Sequence, residues 1–248
     1  MRLLAKCWTN TVKRLLFITG VALLSACASV GPQSERVAKV DPLEGFNRGV
    51  FEFNQKVDEY AIKPVAEAYR FVLPEPVRKG ITNFFQNILD IYNAGHNLLQ
   101  GKPMDAVSDI GRFVVNSTLG ILGIFDVATD MGLEKHPEDF GQTFAVWGVP
   151  QGPYLVLPFF GPSTVRDGVG FGFDIYTDFV LNSERLNSDQ KIAITGLRII
   201  NLRANLLDAE QLVDAAAFDR YSFIRDSYLQ RRRNLVHDGN PPPLKEED

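Results

Sequence analysis

The sequence predicts a mostly α-helical domain with one short β-hairpin, and three observations carry that reading. Apolar residues recur at intervals of three and four over several long segments, the period of a helix with one apolar face. A second kind of segment, 140–165, carries no charge, and Pro150, Pro153, Pro158 and Pro162 forbid a continuous helix through it. The chain has two cysteines, Cys7 and Cys27, and both fall in a region read as targeting sequence, so the domain must fold without a disulfide.

The amino-terminal residues 1–26 read as an export signal. Arg2, Lys6, Lys13 and Arg14 form a basic start, and Leu15 to Leu24 is an uncharged apolar run. That run is too short to span a bilayer, which takes roughly 20 apolar residues. It ends in Leu24-Ser25-Ala26-Cys27, which resembles a bacterial lipobox, in which the cysteine sulfur takes a diacylglyceryl group. Cys27 is therefore the expected lipidated first residue of the mature protein. Two acyl chains are enough for stable anchoring. Ala28 follows, where an aspartate would suggest retention at the inner membrane. Residues 27–40 are polar and aperiodic, as a tether between lipid and domain would be.

Loss of the signal removes four basic and no acidic residues, taking the formal net charge from −4 to −8. A surface this negative argues against nucleic acid or anionic headgroups as the main partner. The eighteen phenylalanines leave a large apolar area to be covered by something.

The helices follow in order over a domain read as 41–236. Phe46, Val50, Phe53, Val57 and Tyr60 make the first stripe. By this phase Phe53 faces inward, and Phe51, about 200° away, meets lipid or a neighbouring helix. A second helix runs from Val77 through Phe84, Phe85, Ile88 and Ile91. Pro103 opens a third, with Met104, Val107, Gly111, Val114 and Val115 on one face. A longer one starts near Asn187, whose spacing to Gln190 matches a capping box. In it Ile192, Ile199, Leu206 and Val213 form a row that Arg203 and Glu210 interrupt, as an ion pair or as a polar lining. The hairpin is expected from Phe144–Trp147 and Tyr154–Leu157 around Pro150-Gln151-Gly152. It is either core, interface, or the border of a passage, because irregular backbone at bilayer depth needs protein or a water-filled cavity beside it. The tail 237–248, with its three prolines and KEED, reads as disordered.

Sites for bond chemistry are hard to find. His96, His136 and His237 have no metal-ligand spacing, and no Gly-x-Ser-x-Gly elbow or phosphate-binding loop exists. Gly168, Gly170 and Gly172 mimic a dinucleotide fingerprint without the strand that should precede it, so tight helix packing explains them better. Glu138 and Asp139 are adjacent acids of the kind usually solvated. No cofactor is expected.

Several ordered blocks carry a family resemblance: Asp41 to Arg48 (DPLEGFNR), Phe51-x-Phe53-Asn54, Asn83 to Asn87, Asn97 to Gly101, Arg112 to Gly120, Asp139 to Thr143, Gly152-Pro153-Tyr154, Leu157 to Pro162 and Val165 to Gly168. Over Asp41 to about Gly170 the chain resembles the MlaA (VacJ) family of outer-membrane lipoproteins. The resemblance implies a ring of amphipathic helices lying in the membrane plane, in the periplasm-facing leaflet of the outer membrane. It also implies a central amphipathic channel for misplaced phospholipids, a trimeric porin alongside, and a soluble periplasmic phospholipid carrier as recipient. No bond is made or broken in that activity, and no enzyme is expected. Phe51, Phe53, Phe140, Gly141, Trp147, Gly152 and Tyr154 are the residues expected along the lipid path. A membrane-anchored lipid hydrolase and a porin-bound scaffold are the competing readings.

Overall fold

The computed structural model describes residues 40–243. The signal, Cys27 and all but the last residue of the tether lie outside the described residues, as do 244–248. Nine α-helices and one two-stranded antiparallel hairpin make up the described chain. None of these helices is long and apolar enough to cross a membrane.

Helix α1 (Glu44–Val57) runs through a π-helical turn (Asp58–Ile62) into α2 (Lys63–Val72). Leu73 then turns extended before Pro74, as a residue ahead of proline must. Helix α3 (Glu75–Leu99) carries Pro76 in its first turn, and α4 (Pro103–Thr118) starts on its proline. The missing amide hydrogen costs nothing there. A single turn, α5 (Val127–Asp130), is capped by Asp126.

The next segment departs from expectation. Residues Phe140–Val146 form a helix, α6, and no strand. Its cause is local: the Asp139 carboxylate accepts the amide of Gln142 at 2.8 Å and caps the first turn. Gly148, at φ +88°, then ends it. The hairpin lies further on, with β1 (Tyr154–Leu157) paired to β2 (Gly161–Thr164). Tyr154 faces Thr164 and Leu157 faces Gly161 across a turn that holds Phe159 at φ +67°. Helix α7 (Val165–Thr177) starts on Thr164, whose hydroxyl accepts the amide of Asp167 at 3.2 Å. Helix α8 (Ser188–Ala216) opens with the full Asn187–Gln190 capping box read from the sequence. Helix α9 (Arg220–Val236) is capped at its start by Asp219. Asp238, in the segment expected to be disordered, pairs with Lys102 at 2.6 Å.

The elements close on themselves. Arg48 of α1 reaches Asp219, the cap of α9, at 2.6 Å, and Asp41 accepts the Tyr221 hydroxyl at 2.5 Å. The hairpin is tied to α1 by two asparagines seven residues apart, hence on one helix face. Asn47 donates to the Tyr154 carbonyl at 3.1 Å and accepts the Val156 amide at 2.9 Å. Asn54 does the same for the Leu157 carbonyl (2.9 Å) and the Phe159 amide (2.7 Å). A carboxamide has one donor side and one acceptor side, so it satisfies a strand edge as a neighbouring strand would.

Candidate functional site

The distribution of polarity is inverted. The apolar stripes read from the sequence face outward: Tyr60 is 77% exposed, Met104 76% and Ile192 71%. The opposite faces, turned inward, are polar, with Asn47, Asp90, Asn97, Asp109, Arg112 and Asn116 all buried. The buried apolar cluster is small, built on Tyr154, Val156 and Tyr221.

Buried polar groups must find partners or cost free energy. Arg112 meets Asp90 at 3.4 Å, Asp126 at 2.9 Å and the Leu133 carbonyl at 2.6 Å. Burial pushes the Asp90 carboxyl up to about 6, against the pull of Lys135 and Arg112. Asn97 and His136 both bond Asp109. Arg232 of α9 joins Asp139 of the α6 cap (2.5 Å) to Asp167 of α7 (3.1 Å). Burial raises the Asp167 carboxyl, but Arg232 and Arg166 together hold it below its ordinary value. The expectation that Glu138 and Asp139 are solvated is thus corrected. Glu138 is buried against Lys102 (3.1 Å) and Gln100 (2.7 Å), because the chain between α5 and α6 folds inward over α3.

Between α1 with its π-turn, the hairpin, α8 and α9 lies a cavity of about 800 Å³. Its wall is mixed. Phe51, Pro162, Leu206, Val213 and Ile224 supply apolar surface. Arg203 forks onto Asp58 at 2.7 and 2.6 Å and also reaches Glu210 at 2.6 Å. Arg220 and Lys63 add contacts to Glu210 at 3.1 and 3.3 Å. Burial would raise the Glu210 carboxyl, yet these cations bring it down to about 2. The Arg203–Glu210 interruption of the α8 stripe is both an ion pair and part of a lining. Asp58 and Arg220 were not read as members, since nothing local marks residues that meet across 145 and 10 positions. A second cavity, about 1000 Å³ and mostly apolar, lies between α3, the loop before α5 and α8.

The seven residues expected along the path do not form one surface. Phe51 lines the polar-walled cavity and meets the Tyr221 ring edge-on at 5.5 Å. Phe53 is 45% exposed and touches Phe159 at 5.2 Å, so the inward assignment of Phe53 is corrected. The helix was phased on its apolar stripe, whereas the inward face is the one bearing Asn47 and Asn54. Phe140 packs among His96, Phe144 and Phe173. Gly141 sits where α6 and α7 touch: a Cβ on Gly170 would lie 2.5 Å from its amide nitrogen, and a Cβ on Gly141 itself would lie 2.7 Å from Arg232 and Asp167 side-chain atoms. Of the three α7 glycines read as tight packing, Gly170 alone shows it: a Cβ on Gly168 would make only ordinary contacts, and one on Gly172 would meet nothing within 4 Å. Trp147 is exposed and donates its indole N–H to the Leu99 carbonyl at 3.0 Å. Gly152 turns at φ +69° where a Cβ would press on Val165, and Tyr154 is buried. Among the described residues no group of three or more His, Cys, Asp or Glu is placed to hold a metal ion.

A profile of the family described as "MlaA lipoprotein" matches residues 39–235. The Escherichia coli (strain K12) protein "Intermembrane phospholipid transport system lipoprotein MlaA" is 36% identical over 228 residues, covering 90% of this chain and 88% of that one. Its Haemophilus influenzae namesake is 27% identical over 242 residues, covering 96% and 95%. A chain solved in work on the structural basis for maintenance of bacterial outer membrane lipid asymmetry superposes with a TM-score of 0.67 at 35% identity, covering 79% of this chain and 98% of that one. With the profile spanning the whole helical domain and the relatives matched nearly end to end, this chain belongs to the MlaA lipoprotein family.

Proposed function

We propose that this protein is an outer-membrane lipoprotein that removes misplaced phospholipids from the outer leaflet and passes them, unaltered, to a soluble periplasmic carrier. The observation that supports it most is the inverted polarity around a mixed cavity. Each large apolar side chain left in water forgoes about 1.5–3 kcal/mol of burial, so the outward stripes suit hydrocarbon. With no helix among the described residues able to cross a bilayer, the protein lies within one leaflet, the periplasm-facing one, anchored through Cys27 and seated beside a trimeric porin.

The cavity between α1, the hairpin, α8 and α9 is then the lipid path. A phospholipid needs apolar wall for its tails and ionic wall for its headgroup, and Phe51, Leu206 and Val213 stand there beside Arg203 and Glu210. Of the remaining expected residues, Phe53 and Trp147 face the surrounding lipid, Gly152 and Tyr154 position the hairpin at the wall, and Phe140 and Gly141 pack α6 against α3 and α7 away from it.

The test is to supply the gene to cells lacking their own family member, and to measure outer-leaflet phospholipid together with lipid cleavage products. Clearance without released fatty acid or lysolipid is expected. Clearance accompanied by those products would replace this reading with a hydrolase; no clearance from abundant, folded protein would favour a scaffold.

A further inference from the structure

The ionic wall of the cavity is a closed exchange network. Three cations, Lys63, Arg203 and Arg220, face three carboxylates, Asp58, Glu210 and Asp214, with contacts between 2.6 and 3.3 Å. No cation in it waits unpaired for a phosphate. Elsewhere on the lining stand Glu52, Lys56 and Glu59, outside that network and in no ion pair among the described residues, so the whole wall carries four cations and five carboxylates. One donor in it is unused: the Arg220 Nε is shielded from solvent and has no acceptor among the described residues.

Resting on the reading of this cavity as a lipid path, we infer that the wall selects zwitterionic headgroups bearing a primary ammonium over anionic ones. A phosphate entering the cavity can reach Arg203 or Arg220 only by displacing Asp58, Glu210 or Asp214. If the lipid is net anionic, each displaced carboxylate is left without a cation in a partly desolvated site, which is costly. A phosphoethanolamine headgroup brings its own cation. Its phosphate takes the guanidinium, and its ammonium takes the released carboxylate. The number of ion pairs is conserved, so the exchange proceeds in both directions without a deep trap. That is what a passage requires: binding strong enough to enter and weak enough to leave. The planar fork of Arg203 suits a phosphate as well as it suits Asp58.

The experiment uses the full-length lipidated protein in detergent, equilibrated with mixed micelles holding equal amounts of an ethanolamine phospholipid and an anionic glycerol phospholipid. Lipid retained after repurification is measured by mass spectrometry. The wild type should retain the ethanolamine lipid about tenfold over the anionic one, a difference of ~1.4 kcal/mol. Glu210→Gln should erase most of that preference, since it frees cations for phosphate and removes a site for ammonium. Glu59→Gln, exposed on the lining and in no ion pair among the described residues, leaves the network intact and should shift the ratio in the same direction by about twofold. Lipid retained without headgroup selection, or with the anionic lipid favoured in the wild type, would overturn the inference while leaving the lipid path standing. Retention of no phospholipid by the wild type would sink both.

Discussion

The Asn47 carboxamide bridges two backbone groups of Tyr154 and Val156, at 3.1 and 2.9 Å, and so closes the free edge of the hairpin. Asn47 is fully buried, so water has no access to replace it. Asn47→Ala should leave a buried amide and a buried carbonyl unpaired, at about 1–3 kcal/mol for each. Thermal melts in detergent should show a large drop for Asn47→Ala and a smaller one for Asn54→Ala, whose site is only partly buried. Equal, small effects would mean the hairpin edge is held by something else.

Phe51 and Phe53 should rank opposite to the order their helical stripe implies. Phe51 packs against the buried Tyr221, and its truncation should cost about 3 kcal/mol. Among the described aromatic rings Phe53 meets only Phe159, worth roughly 1 kcal/mol as an aromatic pair. Denaturant or thermal unfolding of the two alanine variants decides it.

Asp90 should give the fold an unusual acid response. Burial raises its carboxyl from 3.8 to about 6, so between those values the folded state holds more protons than the unfolded one. The contribution of this group to stability therefore grows as pH falls through 6 toward 4, by up to about 1.4 kcal/mol per unit. Comparing Asp90→Asn with the parent across pH 4–7 isolates it. The stability of the parent relative to the variant should rise on acidification, and a flat or falling difference would contradict the raised carboxyl.

Tyr154→Asp and Trp147→Asp should fail in different ways. Tyr154 is 1% exposed and belongs to the small core, so a charge there should lower abundance and protease resistance. Trp147 is 55% exposed, so its variant should fold but seat poorly in lipid. Ala209→Trp, placed on the cavity wall, should leave the protein abundant and folded while blocking clearance of outer-leaflet phospholipid. Full clearance in that variant would remove the cavity from the mechanism.

Cys27→Ala removes the sulfur that would accept the lipid, so fatty-acid labelling and lipoprotein-type processing should both stop. Equal label in variant and parent would end the anchoring claim.

The helices were legible because the 3.6-residue repeat survives in any solvent. Asn187 with Gln190 and Pro103 marked real boundaries for the same local reason, as caps and breakers act within one turn. Asp139 with Gln142 carries a similar signal at α6, and it outweighs the strand-like Phe144–Trp147 run. The period does not say which side of a stripe faces inward. That choice depends on what surrounds the molecule, and here the polar faces turned in because Asn47, Asp90 and Arg112 find their partners only there. The cavity wall lay further still from the sequence. Asp58 and Arg203 stand 145 residues apart, and only the packing of α2, next to the π-turn that carries Asp58, against α8 brings a carboxylate and a guanidinium to 2.6 Å. Local chemistry determined where the helices begin and end; long-range packing, free to place either face outward, decided where the polar wall would stand.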